Sequence, residues 1–325
     1  MPPFSYHRST SLPDALERLA RDGARPLGGG TDLLVSLEER VERASELVDL
    51  RWIPQGADIT ATAEGGLRIG AAARLAAIAR HDQVLARWPV LAQACDAVGT
   101  TALRHMGTLG GNLCQRPRCW YLRAGISCLK NGGTSCPAEG GESRHLAILG
   151  GGPCHAVHPS DPAVALTALH AVIEIAGAGG TRRVPIAEFF VSPAVDAARE
   201  TVLQKGEIVA AVELPASSAG GWQRYEKIMQ RGAWDFALAS IAACRREDGD
   251  VVLVLGGVAP RPWRVDHSVE QDVASGGLGV EDVATLADRA LYDARPLREN
   301  AYKSALAASL LRRAMTDLST RLPGY

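Results

Sequence analysis

Hydrophobic and polar positions follow one another along the chain in patterns that predict both helices and strands. SLPDALERLARDG has the spacing of an amphipathic helix, with Ser11 as a candidate N-cap and Gly23 at its end. A short strand should then run into RPLGGGTDLLVSL, and ELVDLRWI is a second predicted strand. GGLRIGAAARLAAIARH predicts a strand, a turn and a helix. PVLAQACDAVGTTALRHMGTLGGN predicts a helix that runs into a second glycine-rich loop.

The second half of the chain also shows both the helical and the strand-like spacing of hydrophobic residues. DPAVALTALHAVIEIAG predicts a helix followed by a strand, TRRVPIAEFFVSP leads into a loop, and EIVAAVELP predicts a strand. Small residues and glycines interrupt the pattern at residues 216–221, where a domain boundary is expected. Beyond it, GWQRYEKIM, DFALASIAACRR and DVVLVLGGVAPRPWRV predict strands, and RENAYKSALAASLLRRAMTDL predicts a long helix. The order of elements is that of an α+β protein.

Composition narrows the possible functions. A chain of 325 residues predicts about two domains, each large enough for a hydrophobic core. With 46% hydrophobic residues, 22% charged residues and a net charge of -1, it has no electrostatic bias toward nucleic acid or membrane. MPPFSYHRSTSLPDALERL lacks the features of a secretory signal, and no window approaches a membrane span. Seven cysteines, an odd number, favour free thiols, metal ligation or redox use over a disulfide scaffold.

Two glycine-rich loops could bind phosphate groups. In GGGTDLL, the backbone at Gly28–Gly30 can turn with its N–H groups exposed, and Thr31 and Asp32 stand where a helix could begin. MGTLGGN, with Thr108, Gly110, Gly111 and Asn112, could add a second set of donors. Neither loop has the dinucleotide or Walker pattern, and a plain tight turn is the commoner reading of each. Together they make a diphosphate ligand a candidate.

The cysteines form the stronger signal. Cys119, Cys128, Cys136 and Cys154 are separated by eight, seven and seventeen residues rich in turn formers. Such a segment could wrap four thiolates around one centre, although it lacks the CxxC pairs of zinc ribbons and bacterial ferredoxins. The spacing leaves three interpretations open: an iron–sulfur cluster, a zinc site, or four free structural cysteines.

The remaining cysteines and the nearby histidines are more simply explained by structural roles than by metal binding. Cys114 is an unexplained fifth member of the cluster, while Cys95 and Cys244 lie in apolar surroundings typical of buried, inert thiols. Four histidines near the cysteines could ligate a metal, but surface or hydrogen-bonded side chains are the commoner case. These histidines are His105, His145, His155 and His158.

Four motifs in this order give the chain a family resemblance: GGGTDLL, HMGTLGGN, HPSDPAVAL and LGGVAPRPWR. Over nearly its whole length the chain resembles the FAD-binding medium subunit of molybdenum hydroxylases, the xanthine dehydrogenase and aldehyde oxidoreductase family. The cysteine-bearing insertion, at about residues 113–157, resembles that of the flavin subunits of bacterial aldehyde oxidoreductase and 4-hydroxybenzoyl-CoA reductase, which hold an extra [4Fe–4S] cluster. NLCQRPRCWYLRAGISC and SRHLAILGGGPCHAVHPSD look closer to the aldehyde oxidoreductase form.

The resemblance implies a fold and a set of site residues. Residues 1–217 would form an FAD-binding PCMH-type domain, with two α/β subdomains enclosing FAD, and residues 218–325 a C-terminal domain of the CO dehydrogenase flavoprotein type. The implied metal ligands are Cys119, Cys128, Cys136 and Cys154, with Cys114 a bystander. The implied FAD-binding residues are Pro26, Leu27, Gly28, Gly29, Gly30, Thr31, Asp32, Leu33, Leu34, Thr108, Gly111, Asn112, Ser160, Asp161 and Lys227.

Two of these assignments compete with structural roles, and one position departs from the family pattern. Ser160 and Asp161 match the motif whose acid contacts the ribityl or ribose side of the flavin, but the same pair could simply cap a helix. Lys227 matches a basic residue near the cofactor and could otherwise be a surface charge. Trp234 stands where relatives often carry a Tyr or another residue beside the flavin, so it bears on the access of an external acceptor.

The implied function is electron transfer by bound cofactors. The chain would receive electrons from [2Fe–2S] clusters in a small partner subunit and deliver them from FAD to NAD, a quinone, a ferredoxin or oxygen, while the substrate is hydroxylated in a large molybdenum subunit. The extra cluster could be a side branch, a docking relay or a structural staple. A xanthine dehydrogenase-like or 4-hydroxybenzoyl-CoA reductase-like subunit, a stand-alone flavin oxidase and a zinc-stapled assembly subunit are the alternatives. The expected location is the cytoplasm, or the periplasm if a partner carries a twin-arginine signal.

Overall fold

The computed structural model describes residues 1–319, which form a mixed α and β protein with three sheets. The first sheet has three parallel strands in the order β1-β3-β2, so Leu47 on the middle strand lies opposite both Tyr6 and Arg25. Helix α1 links the first two strands, and helix α2 follows the second. The elements are β1 (Ser5–Arg8), α1 (Leu12–Leu19), β2 (Ala24–Leu27), α2 (Leu33–Glu38) and β3 (Glu46–Asp49).

Local sequence accounts for much of this region. The Ser11 hydroxyl accepts a hydrogen bond from the Asp14 N–H, which confirms the predicted N-cap of α1. Gly23 adopts a φ of 76° and Gly30 a φ of 75°, in the left-handed region that glycine tolerates best. Because all three strands are parallel, their carboxyl ends meet at one edge. The glycine-rich loop after β2 leaves the sheet at that edge.

The second sheet has five antiparallel strands in the order β4-β5-β8-β6-β7. TRRVPIAEFFVSP, predicted only to lead into a loop, instead contributes most of strand β7 and a short helix α10. Its side chains alternate too little to signal a strand, because β7 lies at the sheet edge and is largely exposed. The strands are β4 (Ile59–Ala61), β5 (Leu67–Gly70), β6 (Val172–Gly177), β7 (Gly180–Pro185) and β8 (Ile208–Leu214).

Short helices cover this sheet and complete the core around the fully buried Trp88. The segment predicted as one helix before the second glycine-rich loop is divided into α5 and α6, with Gly99 at a φ of 49° between them. The helices are α3 (Leu75–Ile78), α4 (Asp82–Arg87), α5 (Pro89–Asp96), α6 (Thr101–Met106), α7 (Leu109–Leu113), α8 (Trp120–Arg123), α9 (Asp161–Ala168) and α10 (Ile186–Phe189).

The third sheet begins after residues 216–221 and has four antiparallel strands in the order β12-β11-β10-β9. One face of β10 and β11 joins the core around α5 and α9, and the other packs against α11, α12 and α13. The elements are β9 (Trp222–Ile228), β10 (Ala239–Arg245), β11 (Val251–Gly256), β12 (Trp263–Arg264), α11 (His267–Ser275), α12 (Val280–Ala290) and α13 (Tyr302–Ser319).

Residues 114–160, termed here the cysteine segment, connect α7 to α9 with little regular structure. Helix α8 and a single turn of 3-10 helix at Pro137–Glu139 are its regular elements. The segment packs between the first glycine-rich loop and the C-terminal helices. In the part of the chain that the structure describes, no helix is both long and apolar enough to cross a membrane.

Candidate functional site

A cavity of about 940 Å³ opens where the first sheet, the second sheet and strand β9 meet. Both glycine-rich loops reach its wall, as do the start of α9 and the loop after β9. A cavity of this size, with apolar walls and a few convergent polar groups, is typical of a cofactor site. The cavity is therefore the candidate site, and its chemistry follows from the groups that face it.

The first glycine-rich loop presents backbone donors. No backbone carbonyl of residues 1–319 accepts a hydrogen bond from the amides of Gly28, Gly29, Gly30 or Thr31. The loop packs closely on the end of α6, since a Cβ added at Gly29 would lie 1.9 Å from the Met106 carbonyl oxygen. Unpaired N–H groups in a turn before a helix suit an anion such as a pyrophosphate.

The amides of the second glycine-rich loop donate to acceptors within the protein, some of them outside the loop. The Gly110 N–H donates to the Ala71 carbonyl at 2.8 Å, and the Asn112 N–H donates to the Thr108 carbonyl at 2.9 Å. The Gly111 N–H donates to the Thr108 hydroxyl, which caps α7. This loop therefore does not provide the second set of free amides that its composition suggested. It contributes side chains and a closely packed backbone to the cavity wall.

A buried ion pair crosses the cavity wall. The Lys227 ammonium on β9 donates to Asp161 at 2.8 Å, and the Tyr225 hydroxyl donates to the other carboxylate oxygen at 2.6 Å. Burial raises the pKa of Asp161, and the lysine and tyrosine oppose that rise. Asp161 is also the first residue of α9, where the helix dipole favours a negative charge. Because Lys227 and Tyr225 both stabilise the anion, we assign Asp161 as a carboxylate.

Arginines of the cysteine segment add positive charge to the same cavity. Arg116 and Arg118 line it. Arg116 Nη2 and Arg118 Nε are buried without a hydrogen-bond partner in the described residues, whereas Arg116 Nε lies 3.3 Å from a Glu200 carboxylate oxygen. Burial lowers the pKa of Arg118, while Asp32 raises it. These guanidinium groups were missed in the sequence, where RPR next to a cysteine gave no sign of facing the glycine-rich loop.

The four spaced cysteines lie near one another in the cysteine segment. All seven cysteines are within the described residues and are free thiols. Burial raises the pKa of Cys119, the N–H groups of Leu122 and Tyr121 lower it, and Cys128 and Cys136 raise it further. Burial likewise raises the pKa of Cys154, which is sensitive to both Cys136 and Cys119. The thiols are therefore close enough to one another to affect the pKa values of Cys119 and Cys154.

The other thiols are separate from this group. Cys114 lines the large cavity, and burial raises its pKa to about 12. Cys95 and Cys244 are buried in the core, where burial also raises their pKa values, as predicted for inert thiols. Among residues 1–319, no three or more His, Cys, Asp or Glu side chains are arranged to hold a single metal ion.

Histidines near the cysteines have other contacts. His105 contacts the Thr101 carbonyl through Nδ1 at 2.8 Å, and His155 Nε2 lies 3.6 Å from Glu139. His158 accepts a hydrogen bond from the Ser160 N–H, and burial lowers its pKa to about 3. Burial also lowers the pKa of His145. His105 and His158 are thus hydrogen-bonded, whereas His155 Nδ1 and His158 Nε2 are buried without a hydrogen-bond partner among the described residues.

Comparison with known proteins decides which cofactor family this cavity belongs to. Residues 2–217, about two thirds of the chain, match the family described as the FAD binding domain in molybdopterin dehydrogenase. The chain belongs to this family. It is an oxidoreductase flavoprotein of the molybdenum hydroxylases, and the cavity is the candidate FAD site, termed here the flavin cavity.

Relatives of this molybdenum hydroxylase flavoprotein extend over the whole chain. The aldehyde oxidoreductase FAD-binding subunit PaoB of Escherichia coli is 36% identical over 323 residues, which cover 98% of each protein. The glyceraldehyde dehydrogenase medium chain of Sulfolobus acidocaldarius is 31% identical over 292 residues, which cover 87% of this chain and 86% of that one. Quinoline 2-oxidoreductase from Pseudomonas putida 86 shares the fold, with a TM-score of 0.76, 23% identity and 98% coverage of both chains.

The structure brings most of the predicted FAD-binding residues of this flavoprotein to the cavity wall. Three of them do not reach the wall. Leu27 packs in the core and Leu34 lies at the surface. The Ser160 hydroxyl caps α9 and donates to Asn112 Oδ1 at 2.6 Å. Ser160 thus positions Asn112 and does not itself line the cavity. The residues at the wall are Pro26, Gly28, Gly29, Gly30, Thr31, Asp32, Leu33, Thr108, Gly111, Asn112, Asp161 and Lys227.

Trp234 stands at the mouth of the flavin cavity. Its side chain is 60% exposed, and its φ of 56° is unusual for a non-glycine residue. The Arg231 guanidinium lies 5.5 Å from the ring and donates to the Trp234 carbonyl at 3.1 Å. The indole is therefore held at the exposed rim of the cavity.

Proposed function

We propose that this chain is the FAD- and [4Fe–4S]-carrying electron-transfer subunit of a molybdenum-dependent aldehyde oxidoreductase. It would take electrons from [2Fe–2S] clusters of a small partner subunit and pass them to an external acceptor, while a large molybdenum subunit oxidises the aldehyde. The observation that carries the proposal is the adjacency of a flavin cavity and a segment with four free thiols. The names of the relatives, an aldehyde oxidoreductase subunit and a glyceraldehyde dehydrogenase chain, support an aldehyde as the substrate of the complex.

The residues of the cavity suit the parts of FAD. The free amides of Gly28–Thr31, together with the buried N–H groups of Arg116 and Arg118, would hold the pyrophosphate. Lys227 and Asp161 provide a fixed pair of charges on the opposite wall. When bound, FAD supplies one- and two-electron redox chemistry, and the protein contributes position and electrostatic field.

The four thiols would supply the ligands of the proposed cluster. A [4Fe–4S] cluster takes four cysteine thiolates, and four free thiols lie near one another in the cysteine segment. The N–H groups that donate to the sulfurs of Cys119 and Cys154 would stabilise their thiolate forms.

An anaerobic spectrum tests this function. The full chain is purified without oxygen, its FAD and iron are quantified, and absorption is recorded before and after dithionite. Flavin bands above a broad absorption in the blue, both bleached by the reductant, are the expected result. Flavin bands without iron would remove the cluster from the proposal, and a protein without flavin would contradict the FAD assignment.

Matched cysteine variants assign the cluster to its ligands. Cys128→Ser, assayed with FAD in excess, should lose the iron and the broad absorption while it keeps flavin bands. Cys244→Ala, a buried cysteine in the core of the third sheet, should keep both. Equal iron in the two variants would show that these thiols do not hold the cluster.

A further inference from the structure

Arg123 joins the cysteine segment to the flavin loop. It is the last residue of α8, whose N-cap is Cys119, and its side chain is only 11% exposed. On one side it donates from Nε to the Pro117 carbonyl at 3.0 Å and from Nη2 to the Arg116 carbonyl at 3.2 Å. On the other side Nη2 donates to Asp32 at 3.0 Å and Nη1 donates to Ser36 at 2.8 Å. A single guanidinium therefore spans two segments far apart in sequence.

Asp32 is held from the cysteine segment. Its Oδ2 accepts the Arg116 N–H at 2.9 Å, and its Oδ1 lies 2.9 Å from Arg118 Nη2 as well as near Arg123. Within the described residues the Asp32 carboxylate makes no capping hydrogen bond to its own helix α2, although it occupies the N-cap. The residue that ends the phosphate-binding loop is thus oriented by contacts from residues 116–123.

Residues 114–136, the first half of the cysteine segment, have few buried apolar side chains. Their regular structure is the four-residue α8, and the buried apolar side chains there are Pro117, Leu122 and Cys128. Salt bridges from Arg116 and Lys130 to Glu200, at 3.3 and 3.0 Å, tie it to the rest of the domain. A segment with so few apolar contacts opens easily unless a ligand holds it, and a metal centre supplies that stabilisation by linkage.

We infer that Arg123 is a positioning residue through which an assembled iron–sulfur site strengthens FAD binding. When the four thiolates hold their centre, α8 is fixed and Arg123 orients Asp32 and the loop beside it. When the centre is lost, Arg123 no longer constrains Asp32, and the loop binds the pyrophosphate more weakly. The inference rests on the proposed function, because it needs both cofactors. Arg123 does not line the flavin cavity, so its effect must pass through other residues.

A double-mutant cycle on the full chain tests the coupling. FAD is removed and its dissociation constant is measured by flavin fluorescence for wild type, Arg123→Met, Cys136→Ser and the double variant. Iron is quantified in each. Arg123→Met should keep its iron yet bind FAD about tenfold more weakly, about 1.4 kcal/mol. Cys136→Ser should lose its iron and weaken FAD binding by a similar factor. The double variant should bind no more weakly than Cys136→Ser, because the two changes break one connection.

Controls separate this coupling from general damage. Arg264→Met removes an arginine of β12 that pairs with the buried Glu270 of α11. Neither residue lines the flavin cavity, so the FAD dissociation constant should be unchanged. Arg123→Lys keeps the positive charge but loses the guanidinium that bonds to both segments. It replaces Arg123→Met in the cycle if the methionine variant does not fold. Independent, multiplying losses in the double variant would overturn the inference while leaving both cofactors in place. Wild-type protein without FAD or without iron would instead overturn the proposed function.

Discussion

The Lys227 ammonium lies 2.8 Å from Asp161 Oδ2, with the two side chains only 4% and 6% exposed at the wall of the flavin cavity. The pair joins β9 of the third sheet to the first turn of α9. It thereby fixes the position of the C-terminal part of the chain against the FAD-binding part. The Lys227 ammonium also donates to the Ala97 carbonyl at 3.0 Å, so its position is defined by two acceptors.

Lys227→Met should strongly destabilise the protein, because it leaves the Asp161 carboxylate buried without its cation. Breaking a buried pair in this way costs about 3 to 5 kcal/mol. The free energy of unfolding in urea measures the loss. Adding Asp161→Asn to this variant should recover part of it. Arg183→Met is the control, since the Arg183 side chain is 60% exposed on the edge strand β7 and the loss of its pair with Glu213 should cost about 0 to 1 kcal/mol. Equal losses in the two single variants would contradict the role of burial.

Gly29→Ala should weaken FAD binding by about tenfold or more, since a displaced loop misaligns several donors at once. The added Cβ would lie 1.9 Å from the Met106 carbonyl oxygen, so the first glycine-rich loop must move away from α6. Gly179→Ala is the matched control, because no heavy atom lies within 4 Å of its Cβ position. Titration of the deflavinated proteins with FAD compares them, and identical affinities would show that the contact between the loops does not matter.

Lys303→Met should lower the stability of the protein by about 3 kcal/mol or more, because unsatisfied buried carbonyls cost about 1 to 3 kcal/mol each. Lys303 is 1% exposed and donates to the carbonyls of His145, Leu146 and Gly257 at 3.1, 3.2 and 2.7 Å. It thus ties α13 to the cysteine segment. Urea unfolding measures the change against Lys205→Met, which removes an exposed lysine paired with Asp22. A loss no larger than that of the control would refute the prediction.

Asp49 should make stability depend on pH below about 4. Burial opposes its charge, but hydrogen bonds from Arg51 and Tyr6 outweigh burial and lower the pKa of Asp49 from 3.8 to about 2. A lowered carboxyl pKa stabilises the folded state above the unfolded pKa, and this contribution is lost as pH falls from about 4 toward 2. The contribution at neutral pH is about 2 kcal/mol.

Asp49→Asn tests this dependence. The difference in unfolding free energy between wild type and Asp49→Asn should shrink by about 2 kcal/mol between pH 6 and the acid limit. Asp22→Asn, at a side chain that is 99% exposed, controls for the general effect of acid. A difference that stays constant with pH would show that Asp49 does not titrate as its contacts require.

Local sequence determined the elements and the chemistry that short stretches can encode. Ser11 caps α1 as its position before LPDALERL predicts, and the helix–strand pair α9–β6 follows the periodicity of its sequence. The sequence motifs predicted the family to which the chain belongs, and the match over residues 2–217 confirms it. The first glycine-rich loop was expected to expose donors, and no backbone carbonyl of the described residues accepts a hydrogen bond from its amides at Gly28–Thr31.

Tertiary structure decided everything that depends on contacts between distant segments. In the folded chain Cys114 lines the flavin cavity, apart from the other cysteines, and Ser160 positions Asn112 by a hydrogen bond. It also brought Arg123 to Asp32, 91 positions away in the chain. No local pattern encodes such a pairing. The side-chain period of a strand or helix says which face is buried, whereas the packing of the whole chain selects which residue that face meets.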